Sequence, residues 1–189
     1  MNKKQSIAVI FAGGKSSRMG TDKALLPFGR HPTLSEFQYS KLSALFHQVY
    51  LSTKEKKFDF TDALIFDCQK ESSPLVGIVS VFEALDADEV FILSVDMPLV
   101  DKEIIRILQE NNSQKWDAIV AKSPKGIQPL CGFYKKSILS LARNRLAIGD
   151  HRLQSLLEEA QTHYVDFDSD IPFANLNTPD DYQNALKII

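Results

Sequence analysis

The first 23 residues place glycines and cations directly after an apolar run: Ile7-Ala8-Val9-Ile10-Phe11-Ala12-Gly13-Gly14-Lys15-Ser16-Ser17-Arg18-Met19-Gly20-Thr21-Asp22-Lys23. Glycine permits backbone conformations closed to other residues, so main-chain N–H groups can approach a ligand closely. Arg18 offers a planar fork for phosphate oxygens, and Lys23 a compact point charge. Polyphosphate binding is the chemistry these residue types suggest. The bland alternative, a strand-to-helix turn with solvated cations, leaves the coincidence of three glycines and spaced cations unexplained. Two common phosphate loops are excluded by counting. A Walker A loop ending in Gly14-Lys15-Ser16 needs glycine at position 9, which is Val9. The dinucleotide fingerprint fails because no glycine lies at the required offsets from Gly13 or Gly14.

A carboxylate comes next. In Glu89-Val90-Phe91-Ile92-Leu93-Ser94-Val95-Asp96-Met97-Pro98, an apolar run ends at Asp96, and Pro98 pushes the chain into a turn. One carboxylate beside phosphates suits Mg²⁺, which retains waters and takes few protein ligands. The alternative is a loop or helix-capping role, but Asp101 already stands at a capping position. Asp67 closes another short run, Ile65-Phe66-Asp67, where it is equally a turn residue.

Several elements must position these groups. Residues 6–12, 48–53, 63–67, 89–95, 117–122, 130–134 and 164–167 read as strands, and residues 34–46, 76–85, 101–111, 137–146, 152–161 and 179–187 as helices. The alternation predicts an α/β fold: a single-domain, Rossmann-like three-layer α/β/α arrangement around a mostly parallel central sheet. Ligands in such folds gather beyond the carboxyl ends of the strands. No repeat or linker divides the 189 residues, so one domain is expected over 1–189.

Composition narrows the class further. Hydrophobic residues make up 44% and charged residues 24%, as in a soluble protein, and no apolar run could span a bilayer. The basic start leads into strand-like residues and glycines, unlike a secretory leader. Cys68 and Cys131 lack zinc-ligand spacing and read as reduced thiols, which points to the cytoplasm. The net charge of −2 argues against nucleic-acid binding, yet residues 1–30 carry +5 and the remainder −7. A local positive focus suits a small anionic ligand. His31, His47 and His163 read as surface or packing residues.

The opening loop resembles the nucleotidyltransferase signature of GT-A-like pyrophosphorylases. More closely, it is similar to that of the molybdenum cofactor guanylyltransferases, Leu-Ala-Gly-Gly-x-Ser-x-Arg-Met-Gly-x-Asp-Lys, with Phe11 in place of the leucine. The likeness runs along nearly the whole chain and implies a nucleotide-diphospho-sugar transferase-like fold. It implies nucleotide contacts from Phe11, Ala12, Gly13, Gly14, Lys23, Ser52, Asp67 and Asp96, with Asp96 as the Mg²⁺ ligand and Arg18, Lys23 and Asp96 as the catalytic set. Ser72-Ser73-Pro74-Leu75-Val76-Gly77-Ile78 resembles the family's Gly-Pro-Leu-Ala-Gly-Ile, implying guanine contacts from Pro74, Leu75 and Gly77; here Ser73 replaces a glycine and Val76 an alanine. Ser52 stands where the family often has asparagine.

Residues 128–134 are similar to a family strand, and Phe173-Ala174-Asn175-Leu176-Asn177-Thr178-Pro179-Asp180-Asp181 matches its Phe-x-Asn-x-Asn-Thr-Pro-Glu-Asp ending. Amide side chains donate and accept at once, which suits a pterin or a phosphate, although Asn177 and Thr178 could equally cap the helix after them. Arg152 would meet the acceptor's phosphate, or stand solvated at a helix start. The resemblance implies Mg²⁺-dependent transfer of GMP from GTP to a molybdopterin phosphate, releasing pyrophosphate, in the cytoplasm. Molybdoenzyme-maturation chaperones would be protein partners; nucleic acid and membrane would not. Gly13 with residues 74–77 favours guanine, since related cytidylyltransferases usually carry Ala-Ala-Gly. The alternatives are a CTP-dependent cytidylyltransferase or other small-molecule nucleotidyltransferase, and a non-catalytic nucleotide-binding adaptor.

Overall fold

The uncharged run after Ser6 can be covered on both faces. It forms β1 (Ile7–Phe11), in which Ala8, Val9 and Ile10 are fully buried. The computed structural model describes residues 6–13, 22–69, 71 and 73–189. Gly14 and Arg18 lie outside the described residues.

Strands and helices then alternate: α1 (Leu34–Ser43), β2 (Gln48–Thr53), β3 (Leu64–Phe66), α2 (Pro74–Ala84), β4 (Glu89–Ser94) and α3 (Lys102–Glu110). The chain continues through β5 (Ala118–Ser123), β6 (Gly126–Lys135), α4 (Leu139–Ala147), α5 (Leu153–Glu159), β7 (Thr162–Asp166) and α6 (Pro179–Leu186). One seven-stranded sheet has the order β3-β2-β1-β4-β6-β5-β7. Neighbours are parallel except across β6, which runs antiparallel to both β4 and β5. The α/β class with a mostly parallel sheet is thus borne out.

Side chains of β1 alternate between two apolar clusters. Ala8 and Ile10 join Leu34 and Leu42 of α1, Ile104 and Leu108 of α3 and Ala185 of α6. Val9 and Phe11 join Leu75 and Ile78 of α2, Ala142 of α4 and Leu156 of α5. This period of two, with both faces covered, produces the three layers.

Local signals set the helix starts. Asp101 caps α3, accepting from Glu103 N at 2.9 Å and Ile104 N at 3.0 Å, as expected. Ser73 caps α2, and Pro74 takes the first turn, where no N–H is needed, so α2 begins two residues before the sequence suggests. Thr178 and Asp181 form a reciprocal capping box at α6.

The largest departure is β6, which spans ten residues where only 130–134 were expected. Pro129 argues against an uninterrupted strand, and the structure accommodates it at a bulge. Val120 pairs with Gly132 but Ala121 with Gln128, so residues 129–131 have no partner across β5. A Cβ at Gly132 would lie 2.4 Å from the Ile119 carbonyl oxygen, and glycine is what permits that approach. No helix among the described residues is long and apolar enough to cross a membrane.

Candidate active site

The chain leaves β1 toward β2 on one side, while β4 lies on β1's other side. Loops therefore diverge beyond the carboxyl ends of β1 and β4, leaving a crevice. Phe11, Ala12 and Gly13 stand at the end of β1, Ser52 at that of β2, Asp67 after β3 and Asp96 after β4. Ala12 N donates to Ser52 O at 2.9 Å and Val95 N to Phe11 O at 3.0 Å, which locks these ends into register. Gly13 is exposed, and among the described residues the nearest atom to a Cβ placed there would be Thr53 Cα at 3.9 Å.

Three distant segments meet at Lys23. Its Nζ donates to Asp96 Oδ2 at 3.0 Å and to Asn177 Oδ1 at 3.1 Å. A short 3-10 turn, Lys23–Leu25, presents the ammonium, and Asp22 caps that turn by accepting from Ala24 N at 3.0 Å. Asp96 is fixed twice more. Ser94 Oγ donates to its Oδ1 at 2.6 Å, and its main-chain carbonyl accepts from Leu176 N at 2.9 Å. That last bond ties residues 175–178 to the loop bearing the carboxylate. Asn175 is half-buried beside this junction, its carbonyl accepting from Asn177 N at 3.0 Å. Asp181 accepts from Thr178 and from Asn177 N, and the Thr178 bond holds its carboxyl below the usual range.

The other candidate residues lie around this junction's neighbouring elements. Ser52 is buried, as is Leu75, and a Cβ at Gly77 would come within 2.7 Å of the Phe11 ring. Gly77 thus lets α2 pack against the end of β1, and Phe11 is buried beneath it rather than lining an open wall. Pro74 is exposed at the start of α2, and Asp67 is half-buried, with its N–H donating to Thr53 O at 3.2 Å. Arg152 forks onto Asp150, with Nε 3.0 Å from Oδ1 and Nη2 3.1 Å from Oδ2, rather than onto Lys23, Asp96 or Asn177. That pairing holds the Asp150 carboxyl well below the carboxylate range.

Sequence reasoning missed three polar residues that support the crevice. Lys57 Nζ reaches Ala12 O at 3.0 Å and Asp22 Oδ2 at 2.5 Å, tying the residues before and after the glycine-rich stretch. Gln38 and Lys41, on α1, bond the main chain of the Asp96 loop. Their signal was a glutamine and a lysine three apart on a helix otherwise packed by Leu34 and Leu42. His151 also links two segments, with Nδ1 3.1 Å from Ser73 Oγ and Nε2 3.3 Å from Glu71 Oε2.

The chain as a whole resembles known proteins. A family model described as a MobA-like NTP transferase domain matches residues 8–165. The chain belongs to the MobA-like NTP transferase family. It is 37% identical over 178 residues to a molybdenum cofactor guanylyltransferase of Campylobacter jejuni, an alignment covering 93% of this chain and 92% of that one. Against a molybdenum cofactor guanylyltransferase of Helicobacter pylori it is 36% identical, covering 96% of this chain and 88% of the relative. The crystal structure of molybdopterin-guanine dinucleotide biosynthesis protein A from Archaeoglobus fulgidus superposes with a TM-score of 0.82, covering 96% of this chain and 97% of the other. At 24% identity that likeness speaks to the fold. As a member of this MobA-like family, the protein is a nucleotidyltransferase.

Proposed function

We propose that this MobA-like enzyme transfers GMP from GTP to the terminal phosphate of a molybdopterin cofactor and releases pyrophosphate. The observation that carries the reading is the meeting of Lys23, Asp96 and Asn177 within 3.0 and 3.1 Å of one ammonium. It joins a nucleotide-side cation, a candidate metal ligand and an acceptor-side amide at one point. We place the nucleotide on the N-terminal part of a single domain and the acceptor on residues 175–178 with Arg152. The family relatives supply the base and the acceptor; the free thiols Cys68 and Cys131 accord with a cytoplasmic setting.

The acceptor phosphate has a second pKa near ~6, so it is ionised at neutral pH and needs no general base. Its oxygen attacks the α-phosphorus as the bond to the β-phosphate oxygen breaks. Catalysis is then positioning and charge stabilisation. Lys23 neutralises charge on the α-phosphate, and Arg18 binds the β- and γ-phosphates. Asn177 orients the acceptor beside Lys23. Mg²⁺ fits the donor set at Asp96: one carboxylate, oriented by Ser94 Oγ at 2.6 Å, faces a crevice that phosphate and water oxygens would complete. Bound there, Mg²⁺ would supply charge neutralisation across the reacting phosphates.

Asp96→Asn keeps the shape and removes the charge. Its kcat for pyrophosphate release is expected to fall by at least ~10²-fold, the scale of losing one electrostatic contributor. Near-normal turnover would remove Asp96 from the metal role.

A further inference from the structure

Residues 94–98 turn their carbonyls in two directions. Those of Ser94, Val95 and Met97 converge on Gln38 Nε2 at 3.3, 3.3 and 3.0 Å. Pro98 O and Val100 O receive Lys41 Nζ at 2.9 and 2.7 Å. Ser94 O and Met97 O also accept from Met97 N at 3.2 Å and Val100 N at 3.5 Å, while the Asp96 carbonyl accepts from Leu176 N at 2.9 Å. Two side chains one turn apart on α1 therefore grip the main chain on both sides of the candidate metal ligand. Asp96 itself is tied instead to the acceptor segment.

Stability alone does not account for this arrangement. Gln38 is fully buried, and its Oε1 has no hydrogen-bond partner among the described residues. A buried amide oxygen without a donor opposes folding, and this offsets part of what the amide gains by donating to main-chain carbonyls. What the amide alone provides is a donor for carbonyls flanking Asp96. Lys41 likewise ends at two carbonyls, with no carboxylate bonded to its ammonium among the described residues.

We propose that Gln38 and Lys41 are positioning residues of the transfer reaction, holding the 94–100 main chain so that the Asp96 carboxylate meets metal and phosphates in reacting geometry. This inference rests on the assignment of Asp96 to the metal. Groups that orient a metal's ligands commonly affect metal affinity or activity by about 10–100-fold when removed.

The test follows pyrophosphate release from GTP with a molybdopterin acceptor while Mg²⁺ is titrated, and Mg²⁺-dependent GTP binding by calorimetry without acceptor, using Gln38→Met, Lys41→Met, the isosteric Gln38→Glu, and Asp96→Asn. Leu42→Ala, on the same helix and fully buried, serves as a packing control. Folded fraction is measured by circular dichroism for each. For the Gln38 and Lys41 variants, kcat per folded molecule is expected to fall roughly 10–100-fold and half-saturating Mg²⁺ to rise, with the KM for GTP at saturating Mg²⁺ nearly unchanged. Leu42→Ala should keep the wild-type kcat per folded molecule. Wild-type kcat and Mg²⁺ dependence in the Gln38 and Lys41 variants, alongside an inactive Asp96→Asn, would overturn the positioning role alone. So would losses no larger than those of Leu42→Ala. An active Asp96→Asn would instead overturn the metal assignment beneath it. If Gln38→Met does not fold, Gln38→Glu, which preserves volume, is judged by the same criteria.

Discussion

At the residue scale, the site is a set of charges held by directional bonds. Lys23 and Asp96 have half-buried side chains, so their 3.0 Å pair is screened less than a surface pair and resists rotation. Lys23, Asp96 and Asn177 were legible because glycines, a strand end and an Asn-Thr-Pro sequence flagged them. Lys57, Gln38 and Lys41 were not, because lysine and glutamine on amphipathic segments ordinarily face water. Lys41 makes a measurable prediction. Burial lowers its pKa from 10.5 to about 7, while Cys131 on β6 and Asp101 before α3 oppose the shift. Between about pH 7 and 10.5 the unfolded chain binds a proton that the folded chain does not, so folding stability rises with pH across that window. Burial also pushes Cys131 up to about 12, which weakens stability above the ordinary thiol range, so the comparison belongs below that range. Chemical denaturation between pH 7 and 8.5 should show wild type gaining about 1–2 kcal/mol relative to Lys41→Met, since one pKa unit corresponds to ~1.4 kcal/mol. Parallel pH profiles for the two proteins would show that Lys41 is not desolvated.

At the element scale, the alternation of strands and helices was readable from apolar periodicity, and the cap residue Asp101 and the first-turn Pro179 located helix starts. Long-range pairing was not. Residues 126–129, with glycine and proline at their ends, carry turn chemistry, yet 126–128 extend β6 by pairing with Ala121, Lys122 and Ser123 of β5, while β4 pairs only with residues 131–135. Gly132 is the position where this matters energetically. An added Cβ would meet Ile119 O at 2.4 Å, Val120 Cγ1 at 2.7 Å and Val120 Cα at 2.9 Å. Two of those atoms are backbone, so the strands must separate. Gly132→Ala should cost about 1–3 kcal/mol in urea unfolding, the range for overpacking a tight interior. A variant as stable as wild type would show that the bulge relaxes freely.

At the scale of the whole molecule, the fold brings the ends of four parallel-wound segments to one crevice and closes it with a segment from near the C-terminus. The sheet order β3-β2-β1-β4 creates the switch point, and β6, the antiparallel strand, separates it from β5 and β7. Leu176 N on the Asp96 carbonyl, at 2.9 Å, then ties residues 175–178 to the loop bearing the carboxylate. That junction was beyond sequence reasoning, which could assign residues 175–177 to an acceptor only by resemblance. Base selection is the property that would join these scales in the proposed reading, which assigns it to Gly13 together with residues 74–77. The most direct measurement is pyrophosphate release with GTP, CTP, ATP and UTP in parallel, each with Mg²⁺ and a molybdopterin acceptor. The account predicts acceptor-dependent release with GTP, and a kcat/KM at least ~10²-fold higher than with CTP, as expected where buried polar groups read a base. Equal or faster release with CTP would contradict the guanylyl assignment, and GTP binding without release on the acceptor would contradict transfer itself.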